Sequence, residues 1–230
     1  MKWRIHHKSE TVSTNLDARA GVSGDVFTAD YQSAGRGRLD HKWMSRAGEN
    51  LMMSVVLGVE GLDPAAVATL PLVIGLSVTE ALERFGELKL KWPNDVLCDG
   101  RKLSGILCER FGDNVIAGIG VNVRQREFPA DILATSVALM GGTSSVSEVR
   151  DLILARIEAN FAEWCKSGFA ALLPRISLRD YLRGKQVSVL RTDTDTAPFS
   201  GLCNGIAEDG SLLLGTERIY SGEAHICSIK

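Results

Sequence analysis

Residues 33–43, SAGRGRLDHKW, place Arg36, Arg38, His41 and Lys42 on a stretch that also holds Gly35 and Gly37. Glycine lets a backbone approach a ligand closely and exposes its N–H groups. Arginine offers a planar, permanently charged fork that matches carboxylates and phosphates. The combination suits an anionic ligand on a loop that orders around it. Taken alone, it also fits a solvated surface loop or an RGG-like nucleic-acid contact. Residues 91–95, KWPND, set Lys91 and Asp95 on either side of a Trp-Pro-Asn turn at the end of an alternating strand. Strand ends are where reactive side chains gather, and they are also where ordinary hairpin corners lie. Residues 101–109, RKLSGILCE, bring Lys102 to the start of an apolar strand with Gly105 three positions on. A glycine in a strand marks close approach of a ligand or backbone. A lysine there can meet a phosphate or merely snorkel to solvent. Residues 118–123, GIGVNV, put Gly118 and Gly120 on an apolar strand that could floor a pocket for a flat ligand. No third glycine opens a helix, so this is not a dinucleotide fingerprint. Asn122 is a polar group on a buried strand and needs a partner.

These segments need elements to hold them. STNLDARA (13–20) predicts a helix start with Ser13, Thr14 and Asn15 available as caps. DVFTADY (25–31) and the apolar NLMMSVVLGV (50–59) predict strands, the second one buried. Residues 63–85 predict a long helix with Pro64 in its first turn and a kink or break at Pro71. Residues 88–123 predict strands joined by DGR and GDN turns. Residues 147–168 predict a second amphipathic helix ending at Gly168, and both helices are expected to serve the core. After about residue 183 come short strands and Asp-Gly punctuation, the pattern of a small β-barrel. The expected fold class is therefore α+β: a central mixed sheet with helices packed on it over 1–182, then a small β-rich unit over 183–230.

The 230 residues suffice for one main core. The formal charge of −2 argues against general nucleic-acid binding, so cationic function must be local. Residues 1–10 lack an apolar signal region, and no uninterrupted apolar run of transmembrane length stands out. The five cysteines are scattered without a CxxC pair and read as reduced thiols in a cytoplasmic protein. The four histidines show no ligand spacing, so no structural metal is expected.

Singly these motifs are ambiguous. In order, STN, YQSAGRGR, KWPND, KLSGILCE and GIGVNV resemble the biotin protein ligases, and REFPADILATSVALM (126–140) extends the likeness over nearly the whole chain. The resemblance implies a class II aminoacyl-tRNA synthetase-like catalytic sheet followed by an SH3-like C-terminal barrel. It implies that biotin and ATP form biotinyl-5′-AMP, with Mg²⁺ arriving as part of the ATP complex. Biotin then passes to a lysine of the biotin carboxyl carrier domain of acetyl-CoA carboxylase or a related carboxylase. By the same resemblance, Ser13, Thr14, Asn15 and Gln32 bound the biotin head group. Arg36, Gly37 and Arg38 close over the carboxylate and phosphate, with Trp43 at the far end of that loop. Lys102 meets both anions at the reacting centre. Gly105, Ile106, Gly118 and Gly120 line the biotin slot. Asn94 and Asn122 lie near the nucleotide, beside Arg36, Arg38 and Lys102. Lys91 and Asp95 set the reacting geometry. A homodimer paired through sheet edges is compatible with the family. Leu39, Asp40 and His41 depart from the basic or glycine residues that often follow GRGR in it. Only twelve residues precede Ser13, so the expectation is a monofunctional ligase without the DNA-binding domain of bifunctional relatives.

Two other readings compete. A lipoate or octanoate ligase shares this kind of fold but not GRGR followed by KWPND. A binder without catalysis should lack a cation such as Lys102, and an RNA binder should interleave aromatic platforms with its basic residues.

Overall fold

The computed structural model describes residues 2–38, 41–43, 46–190 and 198–227. Its frame is a seven-stranded sheet: β1 (Arg4–Thr11), β2 (Asp25–Gln32), β3 (Asn50–Gly58), β4 (Leu88–Lys91), β5 (Asp95–Cys98), β6 (Arg101–Phe111) and β7 (Asn114–Asn122). The order across the sheet is β1-β2-β3-β7-β6-β5-β4. Only β1 and β2 run parallel, so the sheet is mixed as expected. The apolar β3 is buried up to its last residue because it lies inside the sheet with both faces covered. The β5–β6 turn needs two residues at positive φ, and Asp99 (48°) and Gly100 (73°) supply them.

The expected long helix is two: α2 (Pro64–Val67) and α3 (Leu70–Leu82), the break falling just before Pro71. Residues 64–85 are long and apolar enough to cross a membrane, although Glu80, Glu83 and Arg84 interrupt the apolar run. Nearly every residue of α3 is buried in the core, so it is apolar all round rather than amphipathic. Ser145 and Glu148 form a reciprocal capping box at the start of α4 (Val146–Ser167). Then α5 (Phe169–Arg179) follows, with Pro174 inside it. These helices cover one face of the sheet. The five-residue α1 (Thr14–Ala18) lies on the other, where Ala18 packs on Val56 of β3 and Ile116 of β7. Ser13 occupies the N-cap position of α1 as expected, but its side chain makes no capping hydrogen bond.

The C-terminal strands are β8 (Gln186–Leu190), β9 (Phe199–Ile206), β10 (Leu212–Leu214), β11 (Glu217–Ile219) and β12 (Glu223–Ile226), in one antiparallel sheet ordered β11-β10-β9-β8-β12. Its apolar residues, Val187, Ile206 and Leu212 among them, join the same core as the larger sheet. Trp92 Nε1 donates to Gly210 O at 3.0 Å across the junction, and Tyr181 N donates to Leu90 O at 2.8 Å.

Candidate active site

Strand register builds the floor of the site. On the face that carries α1, Met52, Gly120, Gly105, Asp95 and Lys91 stand in one row across five strands. Two residues along, Ser54, Gly118 and Leu107 form the next row. Three glycines at neighbouring positions leave a trough with no side chains to fill it. Asn15 lies over Gly118, where a Cβ would strike its amide. The Trp43 indole lies over Gly120 and Gly105, and a Cβ on Gly105 would be 3.2 Å from its ring. The trough opens into a cavity of about 170 Å³.

A polar network fixes one end. Gln32 Oε1 accepts from Thr14 N (2.7 Å) and Thr14 Oγ1 (3.1 Å). Ser54 Oγ lies 2.7 Å from Thr14 Oγ1 and 2.6 Å from Asn15 Oδ1. Ser13, Thr14, Asn15 and Ser54 are all buried, so these bonds replace water as partners.

The Gly/Arg segment folds back on itself over the trough. Trp43 N donates to Gly35 O at 3.0 Å, Gly37 N donates to His41 O at 2.6 Å, and Arg36 bridges Lys42. A Cβ on residue 35 would lie 2.6 Å from Trp43 O, so this return needs glycine there. Of the three residues that depart from the family pattern, Leu39 and Asp40 lie outside the described residues. Arg36 Nη1 is 3.5 Å from Glu109 Oε1. Arg38 Nη1 donates to Gly222 O at 3.2 Å, so the small sheet closes the cavity, and Glu223 and Ala224 line it. Burial pushes the Arg38 guanidinium below its ordinary pKa, while Asp95 and Glu223 act in the opposite direction.

Lys102 reaches the site through a β-bulge. Val96 pairs with Ser104 but Leu97 pairs with Lys102, one step on β5 against two on β6. Leu103 is thereby sent into the core and Lys102 is turned to the trough. Lys102 Nζ lies 2.8 Å from Asp95 Oδ1, an ion pair whose angle falls short of a hydrogen bond.

One cavity brings together Ser13, Thr14, Asn15, Gln32, Arg36, Gly37, Arg38, Trp43, Lys91, Asn94, Asp95, Lys102, Gly105, Ile106, Gly118 and Gly120. Two of the expected residues stand apart from the trough itself. Ile106 borders the cavity, but strand alternation turns its side chain to the opposite face, where it joins the main core beside Gly75 of α3. Asn122 lines a second cavity of about 560 Å³, walled by Phe128, Pro129, Ile132 and Ala134. Trp43, Lys42 and Lys102 line both cavities. The Asn122 amide is committed to the backbone: Nδ2 donates to Thr135 O (3.0 Å) and Lys102 O (3.3 Å). Asn94 is committed too, accepting Ile106 N at its backbone oxygen and donating Nδ2 to Ile106 O. Reading the sequence missed Met52, Ser54, Glu109, Glu223 and the apolar wall of the second cavity. Met52 and Ser54 follow from register once β3 is paired with β7. Glu223 has no local signal, because it arrives from a different sheet.

Residues 4–125 match the model of the biotin/lipoate A/B protein ligase family. The biotin–[acetyl-CoA-carboxylase] ligase of Paracoccus denitrificans is 32% identical over 90% of this chain and 92% of its own length. The bifunctional ligase/repressor BirA of Escherichia coli is 31% identical over 86% of this chain, which spans 63% of that protein's length. Among solved structures, the Aquifex aeolicus biotin protein ligase in complex with biotin and ATP superposes with a TM-score of 0.87, at 33% identity over 97% of this chain and 99% of that one. A glycine-floored trough, a rim of cations and this agreement over the chain lead to one assignment: the chain belongs to the biotin/lipoate A/B protein ligase family.

Proposed function

We propose that the chain is an ATP-dependent biotin–protein ligase. It joins the biotin carboxylate to the α-phosphate of ATP, releasing pyrophosphate. It then passes biotin from biotinyl-5′-AMP to a lysine amine on the carrier domain of a carboxylase, releasing AMP. The observation that carries this reading is the pair of adjoining cavities with Lys102 and Trp43 in both walls. Biotin occupies the glycine trough, its head group toward the Thr14–Asn15–Gln32 network. The nucleoside occupies the second cavity against Phe128 and Ile132, near Asn122. The reacting carboxylate and phosphate then meet at Lys102.

Two anions must approach one another in the first step. Preorganised cations stabilise charge as it develops, because they need no reorientation in the transition state. Arg38 and Lys102 fill that role, and Mg²⁺ enters with ATP as part of the substrate. Asp95 holds Lys102 in place before substrate arrives and faces the incoming acceptor amine afterwards. Lys91, level with Asp95 across β4 and β5, helps set the reacting geometry. The backbone return over the trough shields the mixed anhydride from water. The Paracoccus denitrificans and Aquifex aeolicus relatives are named as biotin ligases, which favours biotin over lipoate or octanoate. The C-terminal sheet is read as the SH3-like unit, with the ligase unit ending near residue 182. The enzyme is read as cytoplasmic, and a homodimer fits the same reading.

The test is adenylate formation by the purified chain. It is mixed with ATP and Mg²⁺ plus biotin, lipoate or octanoate, and acyl-AMP is detected by mass spectrometry. Biotin-dependent adenylate is expected. Adenylate with lipoate or octanoate only would move the chain to the other branch of its family.

A further inference from the structure

Glu109 lies on β6 one row beyond the trough, level with Ile116, and does not line the cavity. Its two carboxylate oxygens serve different parts of the site. Oε2 accepts from Asn15 Nδ2 at 2.7 Å. Oε1 faces two guanidinium groups, Arg36 at 3.5 Å and Arg19 at 3.8 Å. Asn15 is buried, and its Oδ1 already accepts from Ser54 Oγ. Nδ2 also reaches Leu107 O at 3.4 Å, and with its shorter bond to Glu109 the amide has one orientation. Among the described residues, the Arg36 guanidinium reaches from the Gly35–Gly37 return to Glu109. A carboxylate is the one group that can meet both demands: an amide N–H needs an acceptor and a guanidinium needs an anion.

We infer that Glu109 is a positioning residue that ties the Arg36 loop to the Asn15 end of the trough, so that the closed loop and the oriented amide are held by one anchor. This rests on the biotin ligase reading above. Glu109 touches neither substrate; it acts through Arg36 and Asn15. The role predicts two separable effects. The ion pair with Arg36 governs retention of biotinyl-AMP, and the bond to Asn15 governs capture of biotin.

Glu109→Gln keeps an oxygen for Asn15 and removes the charge. It should release biotinyl-AMP about tenfold faster than wild type, with the KM for biotin within about twofold, as expected for loss of one charge-assisted contact. Glu109→Ala removes both functions and should also raise that KM by about tenfold. Glu109→Asp should recover part of the retention. The double variant of Glu109→Gln with Arg36→Ala should release adenylate no faster than Arg36→Ala alone, because both remove the same interaction. The measurements are release of biotinyl-AMP after rapid gel filtration, steady-state KM for biotin, and circular dichroism to establish folding. Wild-type retention in Glu109→Gln, or additive effects in the double variant, would overturn the inference. So would unfolding of the isosteric Glu109→Gln, which would make Glu109 a stability residue. A wild-type chain that forms no biotinyl-AMP would instead sink the biotin ligase reading, and this role with it.

Discussion

The floor and the rim of the trough are built in opposite ways. The floor is made by what is missing: Gly105 and Gly120 pair across two strands with Gly118 in the next row, and Asn15 and Trp43 lie in the room they leave. Its shape is backbone, fixed by a sheet whose other face carries the core. The rim is made by charges, and each is held from elsewhere: Lys102 by Asp95, Arg36 by Glu109, Arg38 by Gly222 O with Glu223 nearby. Shape on one side and charge on the other divide the labour. In the proposed reaction, the floor would decide what binds and the rim what happens to it.

Substitutions on each side should break the site differently. The largest effect belongs to Gly120→Val, which places a branched side chain where the Trp43 ring lies. Biotin affinity should fall at least about 100-fold in titration calorimetry, overpacking leaving no room for the ligand. Next comes Lys102→Ala, which should slow adenylation by about 10²–10³-fold, the usual cost of removing one preorganised charge donor. Its biotin affinity should change much less, so rapid-quench rates and calorimetry must be read together. Arg38→Ala should leave a folded protein that loses biotinyl-AMP to solvent about tenfold faster, measured by adenylate hydrolysis in the absence of acceptor. The smallest change is Glu223→Gln. It only weakens support for Arg38, and adenylation should slow by about threefold, as for a partly solvated charge.

How much of this could be read from the chain follows the same division. The strand glycines, STN, the Arg36–Arg38 part of GRGR and Lys102 are local motifs, and all of them meet in one cavity. The strands β2, β3 and β5–β7 are legible because apolar runs and Asp-Gly turns mark them. Three things were not. β1 is exposed almost throughout, so RIHHKSET carries no alternation to read, and it becomes a strand by pairing with β2. α5 carries Pro174 inside it, which local propensity counts against a helix, and packing of Phe169, Leu172 and Ile176 overrides that. The bulge at Leu103 exists only in the pairing of β5 with β6, yet it turns Lys102 toward the trough and leaves Ile106 facing the core. Glu109 and Glu223 were invisible for a related reason. Each gains its role from a partner far away in sequence, Arg36 in one case and Arg38 in the other.

The most direct test follows single-turnover pyrophosphate release and biotin binding side by side, in the wild type, Lys102→Ala and Gly120→Val. The account predicts biotin-dependent release from the wild type. It predicts that Lys102→Ala still binds biotin but releases pyrophosphate far more slowly, and that Gly120→Val folds but does not bind. Loss of binding and rate in equal proportion in both variants, or pyrophosphate release without biotin, would contradict it.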